Sequence, residues 1–192
     1  MRKDLIRAAV AVVALTVLLG LLYPLVVTGI AQVAFPGRAD GSLIHRNGKV
    51  VGSSLQAQAF PGRRWFQPRP SQTGYDGAAS AFSNRGPNQA SARGFSRDQL
   101  AAYLRRERPY DPALNAAAVP VDAVTTSGSG VDPHISPANA RIQARRVAAV
   151  RHLPLQHVLQ LVDDHTDGRS LGLLGEPGVN VVELNLALEG NA

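Results

Sequence analysis

The sequence predicts an α+β fold: one N-terminal transmembrane helix, then a small extracytoplasmic domain with a short antiparallel sheet and several helices. Three observations carry this expectation. Residues 8–34 form an uncharged, largely apolar run. An Asn47-Gly48 pair sits between β-branched and apolar stretches. The C-terminal half holds apolar residues at helical spacing behind a Ser-Pro start signal.

The run from Ala8 to Ala34 has 27 residues, or ~40 Å as a helix at ~1.5 Å per residue. That is enough to cross a hydrocarbon core of ~30 Å with tilt or overhang. It is too long for the ~7–15-residue apolar core of a secretory signal, so it reads as an uncleaved anchor. Arg2, Lys3 and Arg7 precede it. The positive-inside bias therefore places residues 1–7 in the cytoplasm, 8–34 across the membrane and 35–192 outside. Within the span, Thr16, Gly20, Pro24, Thr28 and Gln32 recur every fourth residue. Such a slanted ridge of small and polar groups lets another helix approach closely and share hydrogen bonds. Pro24 is expected to kink the helix.

Beyond the anchor, Asn47-Gly48 is the pair favoured in a type I′ turn, which predicts a hairpin over residues 42–53. Residues 60–95 are rich in Gly, Pro, Ser, Asn and Arg with no sustained period. A stretch of that length is either a functional loop or a disordered one. Its aromatics Trp65, Phe66, Tyr75 and Phe82 favour a docked loop over one that stacks on bases. Ser96-Arg97-Asp98-Gln99 has capping-box form and predicts a helix start, with Pro109 ending that helix. Val119–Val124 reads as a short strand. Ser136-Pro137 predicts a helix with Ser as cap and Pro at its first position. Leu155, Val158, Leu159 and Val162 form one face of the following helix. The alternation in Val179–Leu188 predicts a terminal strand with one buried face.

The chemistry-bearing residues exclude more than they assign. There are no cysteines, hence no disulfide or thiolate metal site. The net charge is +6, but the basic residues are scattered, which argues against a nucleic-acid partner and fits a solvated or lipid-facing surface. The segment Ser127-Gly128-Ser129-Gly130 runs toward a helix start, the layout of a phosphate cradle. Residues 125–134 contain no lysine, and the dinucleotide fingerprint fails, so neither motif is completed. The helix start at Ser136 remains able to attract an anion. Ser127 or Ser129 with Asp132 and His134 makes a stiff local cluster without a nucleophile elbow. The five histidines show no metal spacing. Ser127, Gly128, Ser129, Gly130, Asp132 and His134 therefore read as a docking loop, with no catalytic or metal site.

The chain also resembles the C-subunit family of the Kdp potassium-transporting ATPase along its whole length. The matching residues include Tyr23-Pro24-Leu25 with Thr28, Gly29 and Gln32, then Gly41-Ser42-Leu43 and Gly52-Ser53 with Gln58 and Phe60. They continue through Phe66, Arg69-Pro70-Ser71, Ser83-Asn84 and Gly86-Pro87-Asn88. The most specific are Val124-Thr125, Ser127 to Gly130, Asp132 to Pro137, Gln143 and Arg146-Val147-Ala148. Gly175-Glu176-Pro177 and Val179-Asn180-Val181 with Leu184-Asn185 close the series. Ala57 stands where the family usually has Gly.

The resemblance implies a single-pass protein of a bacterial inner membrane. It implies an accessory subunit working with a channel-like A subunit, an ATP-hydrolysing B subunit and a small F subunit. It implies a role in assembly and a proposed chaperone effect on ATP affinity, with Gln143 as the nucleotide contact. The subunit would have no cofactor of its own, and ATP would enter only through the hydrolysing partner. The charge bias of the anchor conflicts with direct contact, because it places Gln143 where cytoplasmic ATP is absent. A hypothesis that fits this topology has the domain bracing the potassium entry side of the A subunit. A different class of function is a membrane-anchored periplasmic module that binds anionic glycan or lipid through arginines and Trp65, with steep salt dependence.

Overall fold

A computed structural model describes residues 1–190. The chain forms two compact units, Met1–Val51 and the remainder from Gly52. Helical residues Arg2–Ala34 are long and apolar enough to cross a membrane, and none of that span is buried within the chain. The span comprises α1 (Arg2–Val17), a π-helical turn (Leu18–Leu22) and α2 (Tyr23–Ala34). Pro24 explains the π turn. It lacks an N–H and its ring crowds the carbonyl four residues back, so the preceding turn widens. Tyr23 N–H accordingly donates to Leu18 O, five residues earlier. The expected kink at Pro24 thus takes the form of a wider helical turn just before it.

A short helix α3 (Pro36–Ala39) and the hairpin β1 (Leu43–Arg46) and β2 (Lys49–Ser53) follow, the first unit ending at Val51 within β2. Asn47 and Gly48 have φ of 52° and 74°, the two positive values that a type I′ turn requires.

The second unit is built on α5 (Pro137–Arg151), α6 (Leu155–Asp164) and α7 (Val181–Gly190), with α4 (Ala90–Glu107) packed on α5. Its antiparallel sheet has β5 (Gly178–Asn180) between β3 (His134–Ile135) and β4 (Thr166–Asp167). Register pairs Ile135 with Val179 on one side and Thr166 with Val179 on the other. The core joins Phe66, Ile135, Val147, Val158, Val162, Val179, Leu184 and Leu188. A smaller cluster of Tyr103, Leu114 and Ala123 lies between α4 and the following turns.

Three expectations differ from the structure. The tail is a strand only over Gly178–Asn180; Val181 onward is helical. Asn180 Oδ1 accepts from Val182 N at 3.1 Å and Glu183 N at 3.2 Å, a side-chain cap that starts a helix. Val181, Leu184, Asn185 and Leu188 then fall on one buried face, a spacing that competes with the two-residue alternation. Val119–Val124 forms no strand. Pro120 cannot pair within a ladder, and Val121–Ala123 makes a 3-10 turn with Val121 exposed. The helix expected at Ser96 begins at Ala90 instead and runs through Gly94.

Candidate docking loop and the polar network behind it

The coil after β2 bends and turns over Gly62–Trp65 and then passes α5 and α7 at Phe66 and Gln67 without a strand partner, and Phe66 is fully buried. A buried backbone needs hydrogen-bond partners. Here helix side chains supply them. Asn185 Oδ1 accepts from Phe66 N and Asn185 Nδ2 donates to Phe66 O, both at 2.9 Å. Gln143 repeats the arrangement one residue on: Oε1 accepts from Gln67 N at 2.8 Å, and Nε2 donates to Gln67 O at 3.1 Å. Arg146 donates from one terminal nitrogen to the carbonyls of Arg63 and Trp65. Arg151 Nε reaches Arg64 O at 2.8 Å. Side-chain amides and guanidiniums on helices thus replace the ladder of a missing strand.

The network extends to α4. Arg146 Nε lies 3.0 Å from both Glu107 oxygens, with both side chains buried. Burial lowers the Arg146 pKa, and the facing Glu107 carboxylate opposes that shift. Tyr103 Oη donates to Asn139 Oδ1 at 2.8 Å, and burial, then the Glu107 charge, raises its pKa. Gln143 Nε2 also donates to Asn139 Oδ1, and Gln143 Oε1 also accepts from Arg146. Both donors and both acceptor positions of Gln143 are therefore occupied inside the domain, and the residue is 1% exposed.

The start of α5 is occupied as well. Ser136 Oγ accepts from Asn139 N at 3.1 Å, as the Ser-Pro signal predicts. The Asp122 carboxylate accepts from Ser136 N, Ser136 Oγ and Asn139 Nδ2 at 2.8–2.9 Å. An internal carboxylate thus takes the place that an external anion would favour at this helix end.

The structure brings the predicted docking loop together around an open concavity lined by Leu55, Ser127, Gly128, Ser129, Asp132, Pro133 and His134. Ser127 is buried. Its hydroxyl accepts from Gly130 N at 3.0 Å and Asp132 N at 3.3 Å, and so shapes the turn. Gly128 and Ser129 are exposed, whereas Gly130 lies behind them. Gly130 has φ of 81°, and a Cβ there would stand 2.9 Å from Ala81 O, so glycine is required. Ser71 Oγ donates to Gly130 O at 2.6 Å, and Ser127 N donates to Pro70 O at 2.9 Å. Arg69 lies 3.4 Å from Asp132 and donates to Thr126 O at 3.3 Å. The 60–81 coil therefore holds the loop from behind.

His134 is set between two carboxylates. Its Nε2 is 3.2 Å from Asp167 Oδ2, and its Nδ1 is 3.6 Å from Asp132 Oδ1. The Asp132 hydrogen bond raises the His134 pKa against the effect of burial, and Asp167 adds to the rise. For Asp132, burial acts upward, but His134 hydrogen bonds and Arg69 outweigh it and lower the pKa.

The predicted membrane ridge belongs to the first unit. A Cβ on Gly20 would meet Thr16 Cγ2 at 3.9 Å, so the two residues are neighbours on one helix face. The π turn rotates less per residue than an α turn. Gln32 Nε2 donates to Asp40 Oδ1 at 3.0 Å.

The sequence reading missed Gln67, Glu107, Asp122, Asn139, Arg146 and Asn185 as one network. Asn139, Gln143 and Arg146 fall at i, i+4 and i+7, a polar stripe at helical spacing. That stripe was the available signal.

Three outcomes follow. Arg146→Ala removes the partner of two backbone carbonyls and leaves the buried Glu107 carboxylate with Arg106 alone, 2.7 Å away, and should cost about 3 kcal/mol in urea unfolding. Gln143→Ala, which strands the Gln67 N–H and C=O, should cost about 1–3 kcal/mol. The raised His134 pKa gives stability that is full below its ordinary 6.5. That stability is lost as pH rises through the higher folded value. Tm should therefore fall as pH rises above that ordinary value, and His134→Gln should flatten that part of the profile.

Comparison with known proteins matches residues 5–190 to the family described as "K+-transporting ATPase, c chain". A Rhodospirillum rubrum protein named potassium-transporting ATPase KdpC subunit is 52% identical, covering 98% of this chain and 96% of that protein. Proteins of the same name from Ralstonia nicotianae and Mycobacterium tuberculosis are 50% and 46% identical. They cover 96% and 98% of this chain, and 90% and 99% of their own lengths. With the family match spanning nearly the whole chain, this protein belongs to the K+-transporting ATPase c chain family.

Proposed function

We propose that this chain is the non-catalytic accessory subunit of a high-affinity, ATP-driven potassium uptake complex of the bacterial inner membrane. It would assemble with the channel-like A, ATP-hydrolysing B and small F subunits. The observation that carries the docking reading is the Arg2–Ala34 helix, which is apolar and buries nothing against its own chain. Its ridge of Thr16, Gly20, Pro24, Thr28 and Gln32 suits close approach of a partner helix.

In this reading residues 1–7 are cytoplasmic and residues 35–192 lie outside. The subunit raises the ATP affinity of the hydrolysing subunit indirectly, as a coupling between separate sites. Two observations support the indirect route over contact through Gln143. Arg2, Lys3 and Arg7 flank one end of the span, and the Gln143 amide is fully engaged within the domain. ATP then belongs to the partner subunit. The concavity beside Gly128, Ser129 and His134 is offered as a protein docking surface.

The glycan- or lipid-binding alternative leans on arginines around Trp65. Arg64 and Arg151 do cover that indole at 5.0 and 4.4 Å, but Arg151 also bonds two backbone carbonyls of its own domain.

Gly20→Leu tests the ridge. The side chain fills the small-residue gap while leaving the apolar span intact. The variant should reach the membrane at normal level yet release the other ATPase subunits during affinity purification in mild detergent. Retention of a fully active complex would contradict this packing face.

A further inference from the structure

Beyond the membrane ridge and the glycine-serine loop, the structure exposes one more apolar feature. The residues between β4 and β5 form a projecting hairpin in which residues 167–177 are all exposed. Leu171, Leu173 and Leu174 are 91%, 80% and 64% exposed. They are held in place. Ser170 N donates to Leu174 O at 2.8 Å, and Leu174 N donates to Ser170 O at 2.9 Å. Gly172 N donates to Arg169 O at 3.0 Å, which closes the turn. At the base, one Arg169 nitrogen lies 2.8 Å from both Glu176 oxygens. Leu171 adopts φ of 55°, a conformation that bulky aliphatic residues rarely take.

Three leucines presented on a cross-braced tip gain nothing within this chain. We propose that this hairpin is a docking finger that inserts into an apolar pocket on a sister subunit of the transport complex. The inference rests on the accessory-subunit reading above and adds a second contact to it.

The chemistry favours a protein pocket over a lipid surface. The two charges at the base neutralise each other, whereas interfacial lipid binding draws on free basic residues and aromatic anchors. Residues 168–177 contain no aromatic residue and no lysine. A fixed turn also suits a shaped cavity, because ordering the leucines beforehand lowers the entropy lost on binding. The expected site is therefore aliphatic-lined, without a charge that must face the tip.

The test is a tagged full-length chain carrying Leu171→Ser, Leu173→Ser and Leu174→Ser, co-expressed with the other subunits. The residues are exposed, so the variant should melt at the wild-type temperature. It should recover at least tenfold less of the sister subunits, since losing even one buried leucine corresponds to about that factor. In parallel, a photoreactive phenylalanine analogue replaces Leu173 in an otherwise natural chain. Cross-linking to a sister subunit is the expected result. Cross-linking only to lipid, or to nothing, overturns the proposal, as does normal recovery of the subunits by the triple variant. If the wild-type chain also recovers no sister subunit, the accessory-subunit reading fails and takes the finger with it. If the wild type and the variant recover them equally, the finger alone fails. The cross-link decides the matter should the triple variant misfold.

Discussion

The second unit depends on satisfying one buried, extended segment that has no neighbouring strand. Phe66 lies in the core with Gln67 half-buried beside it, so their peptide groups cannot turn to water. Asn185, Gln143, Arg146 and Arg151 supply the partners. Backbone groups buried without such partners would each cost on the order of 1–3 kcal/mol. The requirement explains why α5 carries long polar side chains toward the core. It also explains the buried Glu107 on α4, which neutralises Arg146 and thereby ties α4 to α5.

The same segment also holds the glycine-serine loop. It continues into Arg69, Pro70 and Ser71, which hold the glycine-serine loop through Asp132, Ser127 N and Gly130 O. Groups that resemble ligand-binding chemistry are thus turned inward. Ser127 shapes its own turn, Asp122 occupies the start of α5, and Gln143 binds the extended chain. The groups that face outward are Gly128, Ser129, the rim around His134, the bare apolar helix and the leucine hairpin. These have the character of contact surfaces, which fits a chain that works as one component of an assembly.

Much of this was legible in the residues. The long apolar run, Asn47-Gly48 and Ser136-Pro137 carry local physics strong enough to fix the span, the hairpin turn and the start of α5. The tail was ambiguous, because Val181 to Leu188 satisfies both a two-residue and a helical period; the Asn180 cap decided between them. Ser96 carried a capping signature, yet α4 runs through it from Ala90. The polar network was harder to see. Its members lie up to 119 residues apart, as in the Asn185–Phe66 pair. Nothing local distinguishes a glutamine awaiting a ligand from one that binds its own backbone. Gln143 could be placed by family resemblance, but its environment required the fold.

In the proposed role this domain influences nucleotide chemistry from the opposite side of the membrane. The most direct measurement is compartment. The chain has no cysteine, and Gln156 is exposed on α6, so Gln156→Cys provides a single reporter. Intact cells are treated with a membrane-impermeant thiol reagent, alongside a lysed control. Labelling in intact cells is the predicted result and separates Gln143 from cytoplasmic ATP. Labelling only after lysis would place the domain inside and contradict the indirect mechanism.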